Sequence, residues 1–323
     1  MEFRYKSLPE AYANLFKTLL DNGSDVSPRG QLTKEITPFT LIIDNPRERV
    51  ITSPVRKLNY GFMCAELLWI LAGSNDVNFI SHYLKGWKNF SDDGETLNGA
   101  YGKRIFKWDA GLRQRQIKVT DGENATKENI PLPCTVNQFQ LAYEQLKKDP
   151  DTRQATIVIF DPYRDYADTK DKPCTNLMRF MIRNGKLNMT VFMRSNDIGW
   201  GTPYDIHNFT LLQELMAGLL GIDVGQYIHM VDSFHIYERD FQMAKDMIEE
   251  NDKGIYNSFQ TLDARLDGIN IFSDTLKIML QIEELTRKHE NVDLKDVVQL
   301  LNLIENKFWQ SYIATMVLFN FKK

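Results

Sequence analysis

The chain has 323 residues, is 43% hydrophobic and carries a formal net charge of −4. That length accommodates one large domain or two ordinary ones, and the acidic balance argues against a nucleic-acid binder while leaving room for a few arginines focused on one phosphate. No segment approaches the ~20 apolar residues of a membrane span; the longest apolar run, FMCAELLWILAG (62–73), is too short and contains Glu66.

The first residues lack a charged start followed by an apolar stretch, so no signal peptide is expected, and residues 8–22 follow a helical apolar rhythm. VSPRGQLTKEI (26–36) reads as a loop and FTLIID (39–44) as a strand. Residues 58–73 and 76–84 read as buried helices; 90–104 and 121–133 read as loops. VNQFQLAYEQLKKDP (136–150) predicts an amphipathic helix closed by Pro150. ATIVIF (155–160), LMRFMIR (177–183) and LNMTVFM (187–193) predict strands, the last two as a hairpin around NGK. A helix at about 204–220 and a strand at about 226–232 follow, and from about 236 onward the pattern is almost wholly helical. The expected class is α+β: residues 1–240 as the core, and 241–323 as a helical C-terminal extension packed on it.

Cys64, Cys134 and Cys174 form an odd, sparse set that fits a reducing cytoplasm rather than a disulfide framework. Cys64 sits in the apolar helix and reads as core; Cys134 has no charged neighbours and reads as inert. Cys174 differs. Its strand pairs with one ending at MRSND, which brings Arg194 near, and a guanidinium favours the thiolate. Asp205 raises a separate question, because it follows Gly201, Thr202 and Pro203 at the start of an apolar run. An acid there either caps a helix or reads a ligand.

Seven stretches in order resemble the thymidylate synthase superfamily: AELLWILAG (65–73), NGAYGKR (98–104), DPDTRQ (149–154), PCTN (173–176), MRSND (193–197), GTPYDIHNF (201–209) and HIY (235–237). The resemblance covers roughly residues 8–240 and implies a mixed sheet packed with helices. Methylating synthases typically read Pro-Cys-His and Phe-Asn-Ile, where this chain has Pro173-Cys174-Thr175 and Tyr204-Asp205-Ile206. CTN, MRSND and the acid look instead like the deoxycytidylate and cytidylate 5-hydroxymethylases. The exchange has a physical sense. Cytosine presents an N4 amino donor, and a carboxyl group accepts from it and shares a proton with N3.

The resemblance implies that Cys174 attacks C6 of the pyrimidine, and that C5 then takes a one-carbon unit from 5,10-methylenetetrahydrofolate, with no metal. Water added to the resulting C5 methylene gives the hydroxymethyl product; a methylating synthase delivers hydride instead. Glu66 matches the general acid/base, and a lone glutamate on an apolar helix is costly unless it has such a use. Tyr101 matches a residue of the catalytic water network. Arg29, Arg153, Arg194 and Ser195 match phosphate-binding positions, His235 and Tyr237 a sugar-binding pair, and Trp87 and Asp197 positions near the folate. Arg153 would reach the other subunit's site, implying a homodimer, although Gln154 replaces the usual second arginine. The expected substrate is therefore CMP or dCMP. A thymidylate synthase, a dUMP hydroxymethylase and a non-catalytic nucleotide-binding scaffold stay open. The final TMVLFNFKK does not resemble the tail that closes over folate in the methylating enzymes.

Overall fold

The computed structural model describes residues 1–121, 124–254, 260–288 and 292–322, and no side chain within 113–130. In chain order the elements are β1 (Glu2–Tyr5), α1 (Leu8–Asn22), β2 (Ser24–Val26), β3 (Thr33–Ile36), β4 (Phe39–Ile43), α2 (Tyr60–Leu71), α3 (Val77–Tyr83), α4 (Tyr101–Phe106), β5 (Trp108–Asp121) and β6 (Asn124–Val136). Next come α5 (Gln138–Lys148), β7 (Thr156–Val158), α6 (Pro162–Asp165), β8 (Thr175–Arg183), β9 (Lys186–Asp197), α7 (Thr202–Leu220) and β10 (Asp223–Tyr237). The chain closes with α8 (Phe241–Asp252), α9 (Ile269–Lys288), α10 (Leu294–Asn302) and α11 (Lys307–Phe321).

The main sheet runs β1-β4-β10-β9-β8-β7, with β3 also on β10 and β2 on β3. Its β1–β4 and β10–β9 pairs are parallel and the others antiparallel, which makes the mixed sheet of an α+β fold. Strict alternation places Leu187, Met189, Val191 and Met193 of β9 in the core. The β8–β9 turn sits at Asn184-Gly185, both with positive φ (53° and 71°), as a tight hairpin requires.

Two helices carry the site. α7 is buried almost throughout, with Pro203 in its first turn and Gly221 ending it at φ 68°. α2 is apolar on nearly every face, as a fully enclosed helix must be, and Asn59 caps it by accepting from Phe62 N–H. α11 closes over α2: Tyr312 Oη donates to the Met63 carbonyl at 3.3 Å, and Phe319 occupies the space where Gly61 would carry a Cβ. The buried pair Arg49–Glu214 links the chain before α2 to α7, and Glu214 also accepts from Ala264 N–H at 2.9 Å. Among the described residues no helix is long and apolar enough to cross a membrane.

Two stretches expected as loops are partly strand. Residues 33–36 pair with Phe234–Tyr237, because β10 extends well past its pairing with β4 and leaves an edge to fill. The backbone of 124–133 belongs to a two-stranded ribbon, β5–β6, whose hydrogen bonds are satisfied locally without apolar alternation; residues 122–123 lie outside the described residues. β10 is correspondingly longer than 226–232, and α4 begins inside the loop expected at 90–104.

α4 lies hard against α2. A Cβ at Gly102 would fall 2.4 Å from the Ile70 carbonyl oxygen and 2.6 Å from its Cα, and backbone cannot move aside cheaply. Gly102→Ala is expected to destabilise the fold by about 1–3 kcal/mol. Thermal melts check this; an unchanged midpoint would mean that the α2–α4 approach is slack.

Candidate active site

Cys174 immediately precedes β8. Its carbonyl accepts from Arg194 N–H at 2.9 Å, so the β8–β9 hairpin sets the two residues side by side. The Arg194 guanidinium folds onto the segment before the cysteine: Nε donates to the Pro173 carbonyl (3.0 Å) and Nη2 to that of Lys172 (3.1 Å). The same segment is tied to the 98–104 stretch. Gly99 N–H donates to Asp171 (2.6 Å), and Thr175 N–H donates to Tyr101 Oη (3.3 Å).

Burial raises the Cys174 thiol pKa, and Asp205 and Asp171 raise it further, while Arg194 and Arg29 lower it. Burial wins, so the net shift is upward. The expectation that a nearby guanidinium would yield a ready thiolate is thus met in geometry and not in the electrostatic balance of the free protein. Cys64, buried under Tyr312, is pushed up to about 12.

Asp205 lies in the first turn of α7, yet its carboxyl does not cap the helix. Gly201 is the N-cap, without a side-chain cap bond, and Asp205 Oδ2 accepts from Asn196 Nδ2 at 2.8 Å. Burial pushes its pKa up to about 7 against the pull of that hydrogen bond. Glu66 projects from α2 and accepts from Asn208 Nδ2 at 2.8 Å. Burial, then the charge of Asp205, push it up to about 8. Tyr101 is raised well above its ordinary value by burial, then by Asp205 and Cys174. The structure therefore brings Cys174, Glu66, Asp205 and Tyr101 together.

The arginines divide. Arg29, exposed in the turn Pro28–Gly30 at φ 54°, and Arg194 both exert their charge on Cys174. Arg153 is exposed in the loop before β7; among the described residues no hydrogen bond or ion pair joins it to this cluster. Ser195 lies half-buried on β9 opposite Ser233 of β10. His235 is in register with Asp197, and its ring stands perpendicular to that of Tyr237 with centroids 5.2 Å apart, so the pair shares one face of β10. His235 Nδ1 donates to the Ser233 carbonyl (3.1 Å). Asp197 accepts from Gly199 N–H (2.8 Å), and burial raises its carboxyl. Trp87 is half-buried against Trp69 and Phe62, centroids 5.9 and 6.3 Å away.

Sequence reasoning missed several neighbours. Asn196 and Asn208 hold the two carboxyls, and His229 stands behind Asn196. Arg56 lies over the half-exposed Trp200 ring at 4.8 Å. Its Nε and Nη2 are buried without a hydrogen-bond partner; burial raises the nearby Tyr12 and Tyr204 hydroxyls, and the guanidinium charge opposes that rise. The motif MRSND contains Asn196, but its partners come from other elements and carry no local signal.

The raised carboxyls make stability pH-dependent. An acid whose folded pKa exceeds its unfolded value binds extra protons in the folded state, so stability falls as pH rises from about 4 to about 8. Glu66→Gln, which keeps the oxygen facing Asn208, is expected to melt several degrees higher than wild type at pH 9 and no higher at pH 4. Melts at both pH values check this; equal midpoints at pH 9 would mean that Glu66 ionises freely.

Residues 10–272 match the thymidylate synthase family. The chain is also similar to the deoxyuridylate hydroxymethyltransferase of Bacillus phage SP01, 35% identical over 298 residues that cover 91% of this chain and 70% of that protein.

Proposed function

Because the chain belongs to the thymidylate synthase family, we propose that it is a pyrimidine nucleotide 5-hydroxymethyltransferase acting on deoxyuridylate. The convergence of Cys174, Glu66, Asp205 and Tyr101 in one half-buried cluster, with both carboxyls poised near neutrality, carries this reading. The relative's substrate supports uracil as the base. A neutral carboxylic acid offers one donor and one acceptor, as an amide does, and so complements O4 and N3–H of uracil. A cytosine nucleotide is the second reading, favoured by the acid itself, whose anion accepts from an N4 amino group. This reverses the order expected from the sequence.

In this reading Cys174 attacks C6 as the thiolate, its proton having passed to solvent; the C5–C6 π pair moves through C5 towards O4, and the C5 proton leaves once C5 has taken the one-carbon unit. Glu66, protonated at pH 7, holds a proton for the reacting pyrimidine and, once it has given it up, is a base for water; Asn208 keeps its Oε2 in place. Tyr101 braces the start of β8 and feels the charges of Asp205 and Cys174. Arg29, Arg194 and Ser195 bind the phosphate, joined by Arg153 from the second subunit of a homodimer. His235 and Tyr237 hold the sugar.

The co-substrate 5,10-methylenetetrahydrofolate supplies the one-carbon unit. The residues suit it: Arg56 has two orphaned N–H groups for a carboxylate, and Trp200, Trp87 and Asp197 offer flat surfaces and an acceptor. Residues 1–240 form the catalytic core in this reading and 241–323 the extension on it, and the free cysteines suit a reducing cytoplasm.

The test is product mass from dUMP, dCMP or CMP with methylenetetrahydrofolate in labelled water. A 5-hydroxymethyl product from dUMP carrying the label is expected. A methyl product would make the chain a methylating synthase, and a lack of C5 tritium release from every nucleotide would sink the enzyme reading. Arg194→Ala should raise KM for the nucleotide about 10–100-fold with a smaller effect on kcat, the loss of a charge-assisted hydrogen bond. Steady-state kinetics decide; an unchanged KM removes Arg194 from the phosphate site.

A further inference from the structure

Behind Asp205 runs a file of buried polar groups that the proposed chemistry does not use. Tyr227 and His229 lie on one face of β10. Tyr227 Oη is 2.9 Å from His229 Nδ1, and His229 Nε2 is 3.0 Å from Asn196 Oδ1. Thr202 Oγ1 donates to the same Asn196 oxygen at 2.6 Å, and Asn196 Nδ2 donates to Asp205 at 2.8 Å. His229 has no solvent exposure, and burial takes its pKa down to about 3. The ring is therefore neutral, with a single N–H.

A neutral ring gives the file a direction. For Asn196 to donate to Asp205, its oxygen must face His229. Then His229 carries its proton on Nε2, and Tyr227 donates to Nδ1. With the proton on Nδ1 instead, the amide turns over and its oxygen faces the acid, whose Oδ2 must then keep a proton. The ring tautomer, the amide orientation and the state of the carboxyl form one linked set.

We propose that His229 and Asn196 are specificity-determining positioning residues: the His229 tautomer fixes the Asn196 amide, whose donated N–H sets the hydrogen-bonding pattern that Asp205 turns to the pyrimidine 3,4-edge, and so the balance between uracil and cytosine. The other groups that feel Asp205 are Glu66 from α2, Tyr101 from α4, Cys174 at the start of β8 and Tyr227 from β10. All four couple to Asp205 by charge alone, and among the described residues none of them donates a hydrogen bond to its carboxyl. The Asn196 N–H does. With it, the carboxylate forms near neutral pH and suits the cytosine amino group. Without it, the acid stays neutral and keeps the donor–acceptor pattern that suits uracil.

The proposal rests on the nucleotide hydroxymethyltransferase reading. The experiment measures kcat/KM for dUMP and dCMP from pH 6 to 9 in wild type, Asn196→Leu, His229→Phe and His229→Gln, with thermal melts as a check on folding. Asn196→Leu is expected to shift the dCMP:dUMP ratio towards dUMP by about tenfold or more, the worth of one hydrogen bond to a charged group. It also moves the pH at which dUMP turnover falls upward. His229→Phe shifts both the same way but less, and His229→Gln, whose amide N–H replaces Nε2–H, restores most of the difference. Two positions keep the test open if one variant does not fold. A ratio and pH profile unchanged in both folded variants, with only total turnover lowered, would reduce the file to a structural role and overturn the proposal. A wild-type protein that exchanges C5 tritium from neither nucleotide would instead bring down the underlying reading.

Discussion

Cys174→Ser is expected to lower kcat by roughly 10⁴-fold or more while leaving nucleotide affinity within a few-fold. The nucleophile must bond to C6 and later leave it, and a serine hydroxyl is a far weaker nucleophile near neutral pH than a cysteine sulfur. Burial already holds the Cys174 thiol up despite Arg194 and Arg29. Alkylation of the wild-type protein should therefore quicken steadily as pH rises, and bound nucleotide should protect it. Cys64, pushed up to about 12, should alkylate far more slowly. Binding should survive because the groups assigned to the phosphate and sugar, Arg29, Arg194, Ser195, His235 and Tyr237, are untouched. Equilibrium binding of dUMP beside single-turnover assays separates the two effects. Substantial turnover in the serine variant would move the nucleophile to another residue.

Asp205→Asn is expected to keep dUMP turnover, to abolish its decline as pH rises through about 7, and to lower dCMP turnover by about 10²-fold or more. The sign follows from the carboxyl. Below about 7 it is neutral and offers uracil a donor and an acceptor; above, it is an anion that repels O4 and accepts from a cytosine amino group. An amide cannot ionise, so its uracil pattern persists at every pH. Against cytosine, the amide that faces uracil presents its groups in the wrong order and strands buried polar atoms. Kinetics with both nucleotides from pH 6 to 9 check all three effects. An unchanged dCMP:dUMP ratio would remove Asp205 from base reading.

The sequence by itself determined a good deal. Apolar periodicity placed α1, α2, α7 and the β8–β9 hairpin within a few residues of their observed limits, because those elements bury one or both faces. Glu66 was conspicuous as a lone acid in an apolar helix, and Cys174 through the pairing that brings Arg194 beside it. The ordered motifs pointed to the family. β3 and the β5–β6 ribbon were not legible, since their pairing depends on backbone partners rather than on a pattern of apolar side chains.

Only the tertiary structure decided the electrostatics. Burial outweighs the arginines at Cys174, and it lifts Glu66 and Asp205 towards neutrality; depth in the fold is a property of the whole packing that no local run of residues encodes. The partners of the two carboxyls are likewise non-local. Asn196 reaches Asp205 from the end of β9, and Asn208 of α7 reaches Glu66 on α2, 142 positions away. His229 reaches Asn196 only because β10 lies parallel to β9 in that register. The chain's residues singled out Asp205, and the assembled sheet set the state of its carboxyl.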